Sequence, residues 1–143
     1  PSRARRVIHT DDVILSTVRP YLKAFAIIPQ DYDNQICSTG FAVLTNKEFV
    51  IPKYIYYICL SDVVGQQFRK RMKGASYPAI NTGDVKKTKI PILSIGGQSE
   101  IGEMLSAIDN KILVEGQRHS ALETLFISLL HHLMTGKVRV QYD

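Results

Sequence analysis

Half of the Lys and Arg residues in the first 97 positions fall between 69 and 89: Arg69, Lys70, Arg71, Lys73, Lys86, Lys87 and Lys89. Permanent cations gathered in this way suit the binding of a polyanion. The same run also fits a solvated helix face, so the wider charge distribution has to be weighed. Residues 1–97 carry fourteen Lys/Arg against seven Asp/Glu, a surplus of +7, whereas residues 98–143 carry four against six, a balance of −2. The positive excess belongs to the first part of the chain, and a polyanion is expected to bind there.

Other chemistries find no constellation. His131 and His132 are adjacent, which turns them to different sides of a helix and makes a poor metal pair, and His9 is isolated. Cys37 and Cys59 are too few and too far apart for a disulfide framework or a zinc site, and read as buried apolar residues of a cytoplasmic protein. There is no P-loop, no cofactor fingerprint and no nucleophile elbow. Asp62 and Asp84 read as helix caps rather than as an acid/base pair. No catalytic residue, metal or cofactor is therefore expected. No apolar run has the length of a membrane span, and the basic start, Pro1-Ser-Arg-Ala-Arg-Arg6, has neither Met nor the core of a signal peptide. It reads as a cut within a longer protein.

The elements that would carry these groups can be read from the apolar periodicity. From Ser99 to about Thr135, Ile101, Leu105, Ile108, Ile112, Glu115, His119, Leu122, Phe126, Leu129 and Leu133 follow in steps of four and three. That is the heptad spacing of a helix packed along another helix, and only Glu115 and His119 break the apolar run. An antiparallel pair centred on Gln117 sets Ile101 opposite Leu133 of a second copy, Leu105 opposite Leu129, Ile108 opposite Phe126 and Ile112 opposite Leu122. Glu115 then faces His119 twice by symmetry, and the seam is self-complementary, as a two-fold interface must be. A parallel pair would stack like on like. A helix folded back on its own domain is the other solution, for which a 3.6-residue period serves equally, and Gly116 is a place where the rod could break.

Upstream, Asp12–Arg19 reads as a strand stopped by Pro20, Lys23–Ile28 as a second, and Ile36–Leu44 as extended with a bulge or close approach at Gly40. Pro52 opens a helix, and Ser61-Asp62 caps another that runs to about Met72. Lys73–Pro78 is a loop, Asn81–Asp84 a turn or helix start, Lys89–Leu93 a short edge strand, Gly96-Gly97 a link to the long helix, and Lys137–Val140 a strand-like tail. The fold class expected is α+β: a small mixed domain over 1–97, a helix forming an antiparallel coiled coil over 98–136, and a tail over 137–143.

Gly74-Ala-Ser-Tyr-Pro-Ala-Ile-Asn-Thr-Gly-Asp-Val-Lys-Lys-Thr-Lys-Ile-Pro91 resembles the specificity subunit of type I restriction-modification systems. So do Asp12-Val-Ile-Leu-Ser-Thr-Val-Arg-Pro-Tyr21, Cys37-Ser-Thr-Gly-Phe41 and the close of the long helix, Leu125–Arg139. The resemblance implies the later part of one DNA target-recognition domain followed by a spacer helix that sets the distance between two half-sites. Methyltransferase and restriction activities would lie in partner subunits, double-stranded DNA would be the ligand, and a homodimer would rebuild the family's two-helix arrangement. For such a domain, Lys70, Arg71, Lys73, Lys86 and Lys87 are expected at phosphate, with Arg19, Ser76 and Tyr77 nearest the bases and Asn81 in the same loop. Ser16, Thr17, Arg19 and Tyr21 form a second polar group at a strand end, and Ser38-Thr39 a third. Tyr77-Pro78 also fits a rigid turn that packs the loop down. A second functional reading is an interaction module that docks on partner subunits through its helix without reading DNA.

Overall fold

The computed structural model describes residues 3–74 and 76–139. Strand β2 (Val13–Ser16) sets the pattern of the first part of the chain: Val13 and Leu15 are buried, while Ile14 and Ser16 alternate with them on the other face. It is the centre of a three-stranded antiparallel sheet, between β3 (Phe25–Ile27) and β5 (Phe41–Leu44), with Val13 paired to Ile27 on one side and to Leu44 on the other. A second, two-stranded antiparallel sheet joins β1 (Ala4–Val7) to β4 (Ile36–Ser38), with a bulge between Ala4 and Arg6. The extended stretch 36–44 is therefore two strands, broken at Thr39-Gly40 and shared between two sheets.

Helices α1 (Pro52–Leu60) and α2 (Asp62–Arg71) cover the larger sheet. Ile55 and Cys59 of α1, and Val64 and Phe68 of α2, repeat at four residues and join Val13, Leu15, Ala42, Ile80 and Val85 in one core. That core holds a cavity of about 290 Å³, lined by Leu15, Ile55, Cys59, Val64, Phe68 and Phe49 among others. Burial pushes the Cys59 thiol up to about 12, and it raises the half-buried Cys37 as well, against the nearby charge of Arg6. Ser61 stands at the head of α2 but does not cap it with its side chain; the hydroxyl donates to the Ile58 carbonyl at 2.6 Å. Helix α3 (Thr82–Lys86) does carry a full capping box, with the Asn81 side chain accepting from the Asp84 amide and the Asp84 carboxylate accepting from the Asn81 amide.

The edge strand expected at Lys89–Leu93 is not formed. Side chains, not a ladder, take its backbone groups: Lys89 exchanges both of its bonds with Gln67, the Tyr54 hydroxyl donates to Pro91, and Gln98 donates to Leu93. Helix α4 (Ile95–Met134) begins four residues before Ser99, so Gly96-Gly97 lie inside its first turn rather than in a linker. Gln98, fully buried, accepts from the Ile51 amide at 2.9 Å and donates to the carbonyls of Phe49 and Leu93 at 3.1 and 2.9 Å. Gly102 is buried too, because a Cβ there would stand 3.2 Å from Lys53 Cβ. Gly116 sits within the helix, in open space, and no break occurs at it.

Gly136, at φ 68°, closes α4 in a Schellman motif, with Lys137 N–H bonded to the His132 carbonyl and Gly136 N–H to that of Leu133. Residues 137–139 are consumed by this cap and form no strand; Val140 lies outside the described residues. The chain divides into two compact units, the first ending at Met104 and the second beginning at Leu105. No helix among the described residues is long and apolar enough to cross a membrane.

Candidate functional site

At the end of β2 the chain is stitched to two other segments. The Thr17 amide and hydroxyl both donate to the Gly40 carbonyl at 2.8 Å, which ties the strand end to the turn after Ser38-Thr39. The Thr17 carbonyl accepts from Ile80, Val18 bridges Ala79, and the Arg19 amide donates to Pro78 at 2.8 Å. Lys73 and Ala79 exchange two bonds of 2.9 Å, which fixes the loop between them. The three polar groups expected from the sequence thus meet at one place, through backbone bonds that no local pattern announces.

Arg19 is the centre of this meeting. Its backbone is left-handed (φ 49°, ψ 53°), a conformation open to Gly and tolerated by Asn or Asp but costing other residues of order 1–3 kcal/mol. It also precedes Pro20, which disfavours helical geometry in the residue before it. The buried Pro20 starts a 3₁₀ turn over Pro20–Leu22, and the Leu22 amide donates back to the Arg19 carbonyl. The Arg19 guanidinium carbon lies 4.8 Å from the centroid of the ring of Tyr77, a residue that is 69% exposed. Its Nε is shut off from solvent and has no hydrogen-bond partner among the described residues. Ser76, next to Tyr77 in sequence, is exposed, and Tyr21 is exposed on the turn.

The cations divide by role. Lys70, Lys73, Lys86 and Lys87 are exposed and have no ion pair among the described residues. Arg71 instead donates to the carbonyls of Gln67 and Lys87, at 3.1 and 3.3 Å. That bond draws the end of α2 to the end of α3 and gathers the two basic runs. Arg69 faces Asp62 at 4.0 Å, about two turns back along α2. Asn81 commits its amide oxygen to the cap of α3, which leaves its amide nitrogen as a donor. Arg6, which the sequence offered only as one of many cations, donates to the Thr82 hydroxyl at 3.0 Å.

The second unit presents the apolar seam. Ile108, Ile112, Leu122 and Phe126 are more than half exposed, Leu129 and Leu133 nearly so, and Leu105 is at 36%. Ile101 belongs to the first unit and is half-buried there. Glu115 pairs with Arg118 at 3.8 Å and His119 with Glu123 at 3.6 Å, both along the helix surface.

Comparison with known proteins gives this arrangement a family. The chain is 24% identical over 128 residues to the type I restriction enzyme HindI specificity subunit of Haemophilus influenzae, a match spanning 87% of this chain and 28% of that protein. With the MjaVIII specificity subunit of Methanocaldococcus jannaschii it shares 24% over 139 residues, 94% of this chain and 33% of that one. Among solved structures, the HsdS subunit from Thermoanaerobacter tengcongensis superposes with a TM-score of 0.72 at 42% identity, over 91% of this chain and 34% of that chain. A chain from a structural study of complex assembly and conformational transition of the type I R-M system gives 0.73 at 38%, over 100% and 37%. The chain spans about a third of the length of these relatives. A family model described as the type I restriction modification DNA specificity domain matches residues 5–124, and the chain belongs to that family.

Proposed function

We propose that this chain recognises double-stranded DNA as part of a type I specificity subunit and catalyses no reaction itself, with methylation and cleavage carried by separate modification and restriction subunits. The observation that carries the reading is the meeting of Arg19 and Tyr77 with the loop whose flanks hold Lys70, Lys73, Lys86 and Lys87. The lysines contact phosphate, and Arg71 braces them through the Lys87 carbonyl. Arg19, Ser76 and Tyr77 lie nearest the bases, with Asn81 beside them.

The helix supplies the spacing. Its exposed seam from Leu105 to Leu133 pairs antiparallel with a second copy, centred on Gln117, so that two recognition units stand a set distance apart. The ion pairs that Glu115 and His119 make within the chain are surface pairs worth little, and they give way readily when each meets the other across the dimer.

Mobility shifts at graded salt test the DNA reading. Four lysine–phosphate contacts predict a slope of about −3.6 in log affinity against log salt, from about 0.9 per contact. Lys70→Glu with Lys86→Glu should flatten it and weaken binding alike on all sequences. Absence of DNA binding at low salt, with capture of a methyltransferase subunit, would replace this reading by that of a docking module. Sedimentation tests the pairing: Leu105→Asp with Leu129→Asp should give monomers, and an unchanged mass would refute the seam.

A further inference from the structure

We propose that Arg19 reads a guanine through its major-groove edge and that Tyr77 is the positioning residue that aims it. This rests on the DNA-recognition reading above and makes it specific to one base pair. Three features of Arg19 converge on a reading role. Its backbone is held left-handed ahead of Pro20 by bonds to Pro78 and from Leu22, so the root of the side chain has one direction. Its guanidinium carbon lies over the Tyr77 ring, 4.8 Å from the centroid, so the place of the head group is set as well. Its Nε is covered and unbonded, and no other bond of the side chain is made among the described residues.

A phosphate contact requires none of this. The lysines nearby are flexible, exposed point charges and serve that purpose without strain. A planar fork held in place before binding is suited to a planar acceptor pair. With Nε closed off, the two terminal nitrogens remain as an end-on pair of donors, and guanine O6 and N7 are the adjacent acceptors in the major groove that such a pair spans. Adenine offers N7 beside a donor, thymine a single acceptor beside a methyl group, and cytosine a donor. Each alternative leaves at least one guanidinium donor unmet.

Selection from a random duplex pool by the full chain, followed by sequencing, gives the preferred word. The wild-type chain should enrich a word with an invariant guanine at one position. Arg19→Gln and Arg19→Gly should lose the preference for guanine at that position alone, with affinity for the preferred word falling by about 5- to 150-fold, the range of one bidentate base contact. Glycine accepts the left-handed backbone, so the second variant keeps the fold. Tyr77→Leu should weaken discrimination at the same position, and Tyr77→Phe, which retains the ring, should restore it. A readout without any substitution in the protein uses the wild-type chain on the selected word: 7-deazaguanine, which lacks N7, should weaken binding, whereas inosine, which keeps O6 and N7, should not. If the Arg19 variants keep every base preference and lose only salt dependence, Arg19 is a phosphate contact and the inference is wrong while DNA recognition stands. If the wild-type chain enriches no word at all, the recognition reading fails and this inference falls with it.

Discussion

Replacing Gln98 by Leu tests how the start of α4 is anchored to the first unit. The side chain is fully buried and makes three bonds, one from the Ile51 amide and two to the carbonyls of Phe49 and Leu93. Leucine has similar volume, so little cavity is created and the loss is mainly one of hydrogen bonding. A buried group deprived of its partner costs about 1–3 kcal/mol. The half-buried Ile51 N–H bears most of this, whereas Phe49 and Leu93 are exposed residues whose carbonyls can turn to water. The expected destabilisation is about 2–4 kcal/mol, set by one full orphan and two partial ones. With a urea slope of about 2 kcal/mol/M, the middle of the usual range, the midpoint should fall by about 1–2 M. Gln98→Glu sharpens the test, because a carboxylate keeps the acceptor for Ile51 but has no donor for the two carbonyls. Only its protonated form can donate, so burial should raise its folded pKa. The variant should then be closest to wild type below the unfolded pKa of about 4.3 and lose stability as pH rises through the folded value. Denaturation curves of both variants at several pH values provide the measurement. A Leu variant within about 0.5 kcal/mol of wild type, the usual range of surface substitutions, would refute the anchoring role.

Gly102→Val should destabilise by about 1–3 kcal/mol in thermal melts, since even a Cβ would press Lys53 at 3.2 Å, whereas Gly116→Ala, in open space, should stabilise α4 by up to about 1 kcal/mol. Asn81→Ala should cost about 0.5–2 kcal/mol by removing the cap of α3, and Asn81→Asp should keep the cap while removing the amide donor, so that any DNA affinity lost by the second variant alone belongs to recognition. Because burial holds the Cys59 thiol at about 12, the unfolded chain deprotonates first as pH rises past about 8.5. The Cys59 contribution is complete below that pH and is lost progressively towards 12. Cys59→Val should therefore show a shallower fall in urea midpoint than wild type between pH 9 and 11, and equal slopes would show that this thiol does not titrate in the unfolding equilibrium.

Elements with strong local signals were legible before the structure: the alternation around Val13 and Leu15, the proline-headed α1, the cap of α3 at Asn81 and Asp84, and the four-three spacing of α4. Strand β1 was missed because Ala4-Arg-Arg-Val7 has no apolar alternation and pairs with β4 from thirty residues away. Lys89–Leu93 looked like a strand because its composition is apolar and β-branched, yet its bonds go to Gln67, Tyr54 and Gln98, which only tertiary placement brings near. For the same reason two glutamines in polar surroundings gave no hint that they were clamps. At the candidate site, the sequence offered Arg19 and Tyr77 as members of separate polar groups. It held no sign that the two touch, since the contact depends on the bridges of Val18 and Lys73 to Ala79.

The location of strain in this chain is informative because the rest of it follows the ordinary rules. Four non-glycine residues have positive φ among those described: Asp11, Arg19, Lys23 and Asn34. Asp11 and Asn34 are types that tolerate the left-handed region, and Lys23 ends the 3₁₀ turn with its amide bonded to Pro20. Arg19 heads the same turn, with its carbonyl bonded to the Leu22 amide, but it is neither Asn nor Asp and it precedes a proline. It also owns the unsatisfied buried side-chain atom among the described residues, in a fold that supplies Gln98 with three partners and ties the buried Thr17 hydroxyl to Gly40. A chain able to satisfy those groups is not short of ways to satisfy an arginine. Backbone strain, an orphaned donor and an exposed aromatic ring thus coincide within one 4.8 Å contact, where the cost of the fold is concentrated. On the reading proposed above, the neighbouring lysines hold the phosphates of a polyanion and the terminal nitrogens of Arg19 meet the edge of a base.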